Sequence, residues 1–90
     1  METKQEILDE FVEWMPRVRK RLGLSQTELG QKIGLSRQSI SSIERKQVPL
    51  TWDTFLAISL VILVNDPDVF KEFEHPERFF DVVESLKTGT

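Results

Sequence analysis

The chain has 90 residues, no cysteine and a formal net charge of −3. That length allows one domain with a modest core, and the missing thiols exclude disulfide frameworks and cysteine-based zinc sites, which suits a reducing, cytoplasmic compartment. The opening METKQEILDEFVEW is polar and acidic, unlike a secretory signal, and the longest apolar run, Ala57 to Val64, is broken by Ser59 and too short to span a bilayer. A soluble protein is expected.

No sustained period-two alternation appears, whereas helical spacing recurs along the chain. Ile7, Leu8, Phe11 and Trp14 make one stripe over about residues 4–14. Pro16 then either ends that helix or kinks a longer one, in which Val18 and Leu22 continue the spacing to Gly23. Ser25-Gln-Thr-Glu28 is a capping box that opens a helix over 26–33 with Leu29 and Ile33 buried. Gly34 stands where a left-handed C′ residue belongs, and Ser36 caps a helix over 36–46 that carries Ile40 and Ile43. Thr51 caps the next, Trp52 to about Val64, which is mostly apolar all round and therefore buried or at an interface. Asn65-Asp66-Pro67 reads as a cap with proline at N1, opening a short helix to about Glu74. A last helix, Glu77 to Leu86, carries Phe79, Phe80, Val83 and Leu86 on one side. The expected fold is all-α, with five or six short helices. The expected division is an N-terminal helical extension over 1–14, a central domain over 15–64 and a helical tail over 65–90.

Charge is divided along this order. Residues 1–15 carry −4, residues 16–46 carry +6 and residues 47–90 carry −5. Because salt screens charges beyond about 10 Å at 0.1 M, local charge decides whether a polyanion docks. The basic segment contains ELGQKIGLSRQS, residues 28–39, with two glycines four apart. Only Gly34 and Leu35 join the helices on either side, so they cross sharply, as in a helix-turn-helix. Gly34 supplies the positive φ of the turn, and Gly30 faces inward where a missing side chain permits close approach. On that reading Gly34→Val unfolds the motif and Gly30→Ala is nearly silent.

At about 100° per residue, Ile40 and Ile43 set the buried direction of helix 36–46. Gln38, Ser42 and Arg45 fall nearly opposite, with Ser41 beside them, Arg37 on the flank and Glu44 toward the core. Arginine and glutamine suit bidentate contacts to base edges, and small serines let a helix approach a major groove. Arg45 and Lys46, at the far end, are placed for phosphate.

GLSQTELGQKIGLSRQSISSIER, followed by Pro49 and TWDTFLAI, closely resembles the phage-repressor-like helix-turn-helix family (Cro/lambda-repressor, xenobiotic-response-element type) over about residues 15–63. The spaced features are Arg19, Ser25-Gln26, Leu29, Gly30, Gly34, Ser36, Ile40, Ile43, Glu44 and Pro49. The resemblance implies that Arg37, Gln38 and Ser42 read bases, that Gln26 contacts phosphate, and that Arg19 pairs with Glu44 structurally. Ser36, Ser41, Arg45 and Lys46 complete the expected DNA-backbone set. One departure stands out: Arg45-Lys46-Gln47 occupies the place where the family usually has glycine.

No catalytic, metal or cofactor site is expected. His75, the one histidine, stands beside Glu72, Glu74 and Glu77, a poor ligand set, and no serine or threonine has a convincing histidine partner. The expected function is a sequence-specific transcriptional regulator, in the sense of a repressor, that binds double-stranded DNA as a homodimer. Two alternatives share the scaffold: an antitoxin-like autorepressor that holds a toxin through its tail, and a protein-interaction module.

Overall fold

The structure, a computed structural model, describes residues 4–72. It contains α1 (Lys4–Leu22), α2 (Gln26–Ile33), α3 (Arg37–Glu44) and α4 (Trp52–Asn65), followed by a 3-10 helix, Pro67–Glu72. No strand occurs among the described residues, so the fold is all-α. The helix expected over Glu77–Leu86 and the surroundings of His75 lie outside the described residues.

α1 runs unbroken through Pro16, and therefore across the boundary expected between residues 14 and 15. A mid-helix proline removes one ladder bond and costs about 3 kcal/mol. Here the buried stripe continues on both sides of it, through Ile7, Leu8, Phe11, Val12, Met15 and Val18. Full burial of one large apolar side chain contributes about 1.5–3 kcal/mol, so several together outweigh the break. At the centre of the core the Phe11 ring meets Phe55 of α4 edge-on, with centroids 4.8 Å apart, and Trp52 stacks on Phe55 at 5.0 Å. Ser59, the buried polar residue of α4, donates its hydroxyl to the Phe55 carbonyl at 2.8 Å and so remains satisfied. The 3-10 helix closes one end of the core with Val69 and Phe70. It is the short helix expected from Pro67, formed as a 3-10 helix over the described residues. Asp66 links the two elements: its N–H donates to the Ile62 carbonyl and its own carbonyl accepts from the Val69 N–H.

Three helix ends share one device. Gly23, Gly34 and Lys46 have φ of 73°, 79° and 63°. The N–H after each reaches back five residues: Leu24 to the Arg19 carbonyl, Leu35 to Gly30 and Gln47 to Ser42, all at 2.9 Å. These are Schellman closures, which satisfy carbonyls that a helix end would leave orphaned. The third explains why α3 stops at Glu44, two residues short of the expected end: Arg45 is its C-cap and Lys46 has already left the helical region. At the other ends the hydroxyls of Ser25, Ser36 and Thr51 accept the N–H of Glu28, Ser39 and Thr54.

The closure at Gly34 overturns the expectation for Gly30. It folds the turn back over α2, so a Cβ on Gly30 would lie 2.3 Å from the Leu35 carbonyl oxygen and 3.2 Å from its carbonyl carbon. Backbone cannot swing away as a side chain can. Gly30→Ala should therefore lower stability by about 1–3 kcal/mol, while Gly34→Ala should cost about 1–2 kcal/mol through φ alone. Denaturant midpoints at unchanged m-value measure both.

The capping box gives a second expectation. The Glu28 carboxylate accepts the Ser25 N–H at 2.9 Å, and its pKa is lowered chiefly by that backbone bond and then by the Ser25 hydroxyl. A carboxyl depressed in the folded state stabilises fully above its unfolded pKa, about 4.3, and loses that contribution as pH falls through the lowered value. Glu28→Gln should remove this part of the acid limb, read as a flatter dependence of melting temperature on pH below about 4.5.

Candidate nucleic-acid interface

α3 lies on the surface with Ile40 and Ile43 beneath it, 0% and 5% exposed. Arg37, Gln38 and Arg45 are exposed on its outer side, and Ser41 and Ser42 are half-buried among them. Ser36, at the N-cap, is exposed as well. Gln38 and Ser42 also line a shallow groove with Val48, Thr51 and Thr54, which puts the start of α4 alongside one edge of α3.

The other edge is organised by an ion pair. Arg19 of α1 donates from Nε to Glu44 Oε2 at 2.6 Å and from Nη2 to Oε1 at 2.9 Å. Its Nη1 reaches the Leu24 carbonyl at 3.2 Å. Gln26, half-buried at the start of α2, donates from Nε2 to Glu44 Oε1 at 3.1 Å. The side chains of Arg19 and Glu44 are only 18% and 6% exposed. The one acid of α3 is thus drawn inward and its oxygens are occupied, which leaves the outer face without a carboxylate. Bidentate arginine–carboxylate geometry fixes orientation as well as distance, so α1, α2 and α3 are held in one arrangement.

The basic segment is less available than its +6 suggests. Arg19 serves Glu44, Arg21 pairs with Asp66 at 3.4 Å, and the Arg17 guanidinium lies 4.8 Å from the Trp14 ring centre. Arg45 donates to Gln47 at 3.1 Å. Lys46 pairs with Glu13 of α1. The structure therefore brings Arg37, Gln38, Ser41, Ser42 and Arg45 together on one face, sets Gln26 at its edge and turns Lys46 toward α1. Sequence reasoning missed the Glu13–Lys46 contact. It follows from the positive φ of Lys46, which reverses the chain there. Among the described residues no group of His, Cys, Asp or Glu side chains could hold a metal ion.

A helix-turn-helix family model matches residues 17–64. The chain belongs to that family. It is a helix-turn-helix protein of the XRE type, like Cro and lambda repressor, and a DNA-binding transcriptional regulator. No curated protein and no solved structure shows a significant match to it. No helix among the described residues is long and apolar enough to cross a membrane. In the helix-turn-helix frame α2 and α3 are the motif, and the match begins just after Pro16.

Removing Glu44 should strand Arg19 in a mostly buried site. Glu44→Ala is expected to lower stability on the order of 2–4 kcal/mol, against about 0.5 kcal/mol or less for Arg45→Ala on the open surface. Urea unfolding at neutral pH separates the two.

Proposed function

We propose that this protein is a repressor that inserts α3 into the major groove of double-stranded DNA and binds as a homodimer at a two-fold operator. The observation that carries this reading is the acid-free outer face of α3, with Arg37, Gln38, Ser41, Ser42 and Arg45 outward and Glu44 held on Arg19. A polyanion approaching that face meets donors and no carboxylate. Arg37 and Gln38 stand at the end of the helix that enters first, where bidentate donors discriminate bases best. Ser42, one turn on, is short enough to permit close approach.

Gln26, Ser36, Ser41 and Arg45 flank the reading residues and serve the phosphates that fix register. Gln26 is oriented for this by its bond to Glu44. Lys46 reaches phosphate by exchanging Glu13 for it, since both side chains of that pair are 61% exposed. Occupying the operator excludes other proteins from it, and repression needs nothing more than binding.

Selection of bound sequences from a random DNA pool at two salt concentrations tests the reading. Gln38→Ala should relax the preference at one base position, at a cost of about 1–3 kcal/mol on the selected site. Arg45→Ala should weaken all sequences alike and reduce the salt slope by about 1. If both variants bind every DNA as the wild type does, α3 is not the reading helix.

A further inference from the structure

Val48 is a large apolar side chain that the fold leaves 44% exposed. It follows the end of α3 by four residues, yet it stands beside Gln38 and Ser42, with which it lines the groove between α3 and the start of α4. Backbone places it there. The positive φ of Lys46 reverses the chain, and the N–H groups of Gln47 and Val48 both donate to the Ser42 carbonyl, at 2.9 and 3.4 Å. A helix continued from Ser42 would have carried Val48 about 9 Å along its axis; the closure brings it back alongside instead. Pro49, with its fixed φ, follows on the same wall of the groove. The opposite wall is held by the cap of α4, where Thr51 accepts the Thr54 N–H at 3.2 Å.

Chemistry decides what such a residue can meet. Among the described residues no charged side chain lines the groove, so it suits the edge of a base better than a phosphate. Valine has neither donor nor acceptor, and on a face that reads base edges it discriminates through apolar contact alone. Of the groups that base pairs present in the major groove, the apolar one is the 5-methyl of thymine. A lone exposed valine is ordinary on open surface; this one adjoins two residues proposed to read bases. We infer that Val48 is a specificity-determining residue, which receives the 5-methyl group of a thymine in the major groove beside the base contacted by Gln38. The inference rests on the insertion of α3 proposed above and assigns a base to one part of it.

Gln38 and Val48 then divide the work. Glutamine pairs bidentately with adenine N6 and N7, valine takes only the methyl of thymine, and together they favour A·T pairs. Neither replaces the other, because one supplies hydrogen bonds and the other contact alone. The strength follows from area. One methyl group moved from water into apolar contact changes an equilibrium about fourfold. That is less than a bidentate contact contributes, but it is confined to one base position.

Replacing thymine by uracil removes the methyl from the DNA and leaves every hydrogen-bonding group in place. On the duplex that selection from a random pool yields, each thymine is replaced in turn and binding of the full chain is titrated. The wild type should lose about fourfold at one position of a half-site. Val48→Ala, a change on an exposed side chain, should keep its circular-dichroism melt. It should bind the thymine duplex about fourfold more weakly than the wild type and be indifferent to uracil at that position. A uracil loss that persists in Val48→Ala overturns the inference, because another side chain then holds the methyl. So does a wild type indifferent to uracil at every position. A site whose dependence on Val48 appears only when a cytosine carries a 5-methyl group overturns the assignment to thymine. A pool from which no sequence is enriched sinks the insertion of α3, and the inference with it; a strongly enriched site without the uracil effect sinks the inference alone.

Discussion

The bidentate contact between Arg19 and Glu44 is the constraint on which the rest of the arrangement turns. It joins the last third of α1 to the end of α3 across a sequence separation of twenty-five residues, and Gln26 adds the start of α2 to the same carboxylate. A buried ion pair is weak evidence for stability, since removing two charges from water offsets much of their attraction. Its contribution here is geometric. Two parallel hydrogen bonds fix the angle between helices as well as their separation, and apolar packing through Ile40 and Ile43 alone would allow α3 to roll. The same contact decides the electrostatics of the surface. An acid on α3 pointing outward would repel a phosphate backbone, and pointing inward without a partner it would be a costly buried charge. Arg19 resolves both conditions at once, and the outer face of α3 is left to neutral and basic residues.

Around that anchor the chain spends little length on connections. Three helices stop in the same way, through a left-handed residue and a bond that reaches five residues back. Such closures turn the chain within two residues and leave almost no backbone group unsatisfied. They also tie function to backbone detail. The turn that aims α3 lies directly over Gly30, and the turn that releases the chain from α3 sends Lys46 toward Glu13 rather than outward. Short connections fix the placement of the outer face of α3, which the base reading proposed for it requires.

The parts of this structure legible in the sequence are those governed by local rules. Caps at Ser25, Ser36 and Thr51, the left-handed Gly34, and the buried sides of α2 and α3 follow from residue types at fixed offsets. What stays hidden depends on contacts between segments far apart. Of the two readings open at Pro16, an ended helix or a longer one through it, the longer one holds because Met15 and Val18 on either side enter one core, a tertiary gain that local propensity does not contain. The damage at Gly30 exceeds expectation because its neighbour is a carbonyl in the following turn rather than a side chain of the next helix. α3 ends earlier than expected because lysine rarely adopts positive φ, so nothing in Arg45-Lys46-Gln47 announces the reversal. On the outer face of α3, periodicity alone separates outward from inward positions, since a helix face needs only its buried pair to be identified.

Pro16 has a consequence for what counts as the unit of this protein. The family match starts at residue 17, yet α1 continues on both sides of the proline without interruption. Of the fifteen buried hydrophobic residues described, Ile7, Leu8, Phe11, Val12 and Met15 precede the match, and Val69 and Phe70 follow it. Phe11 meets Phe55 edge-on in the aromatic centre. The stretch shared by descent and the stretch that builds the core are therefore different pieces of chain. A fragment cut at the limits of homology would keep the motif and discard nearly half of the interior that supports it. Ancestry here defines a reading device; the flanks make it a folded body.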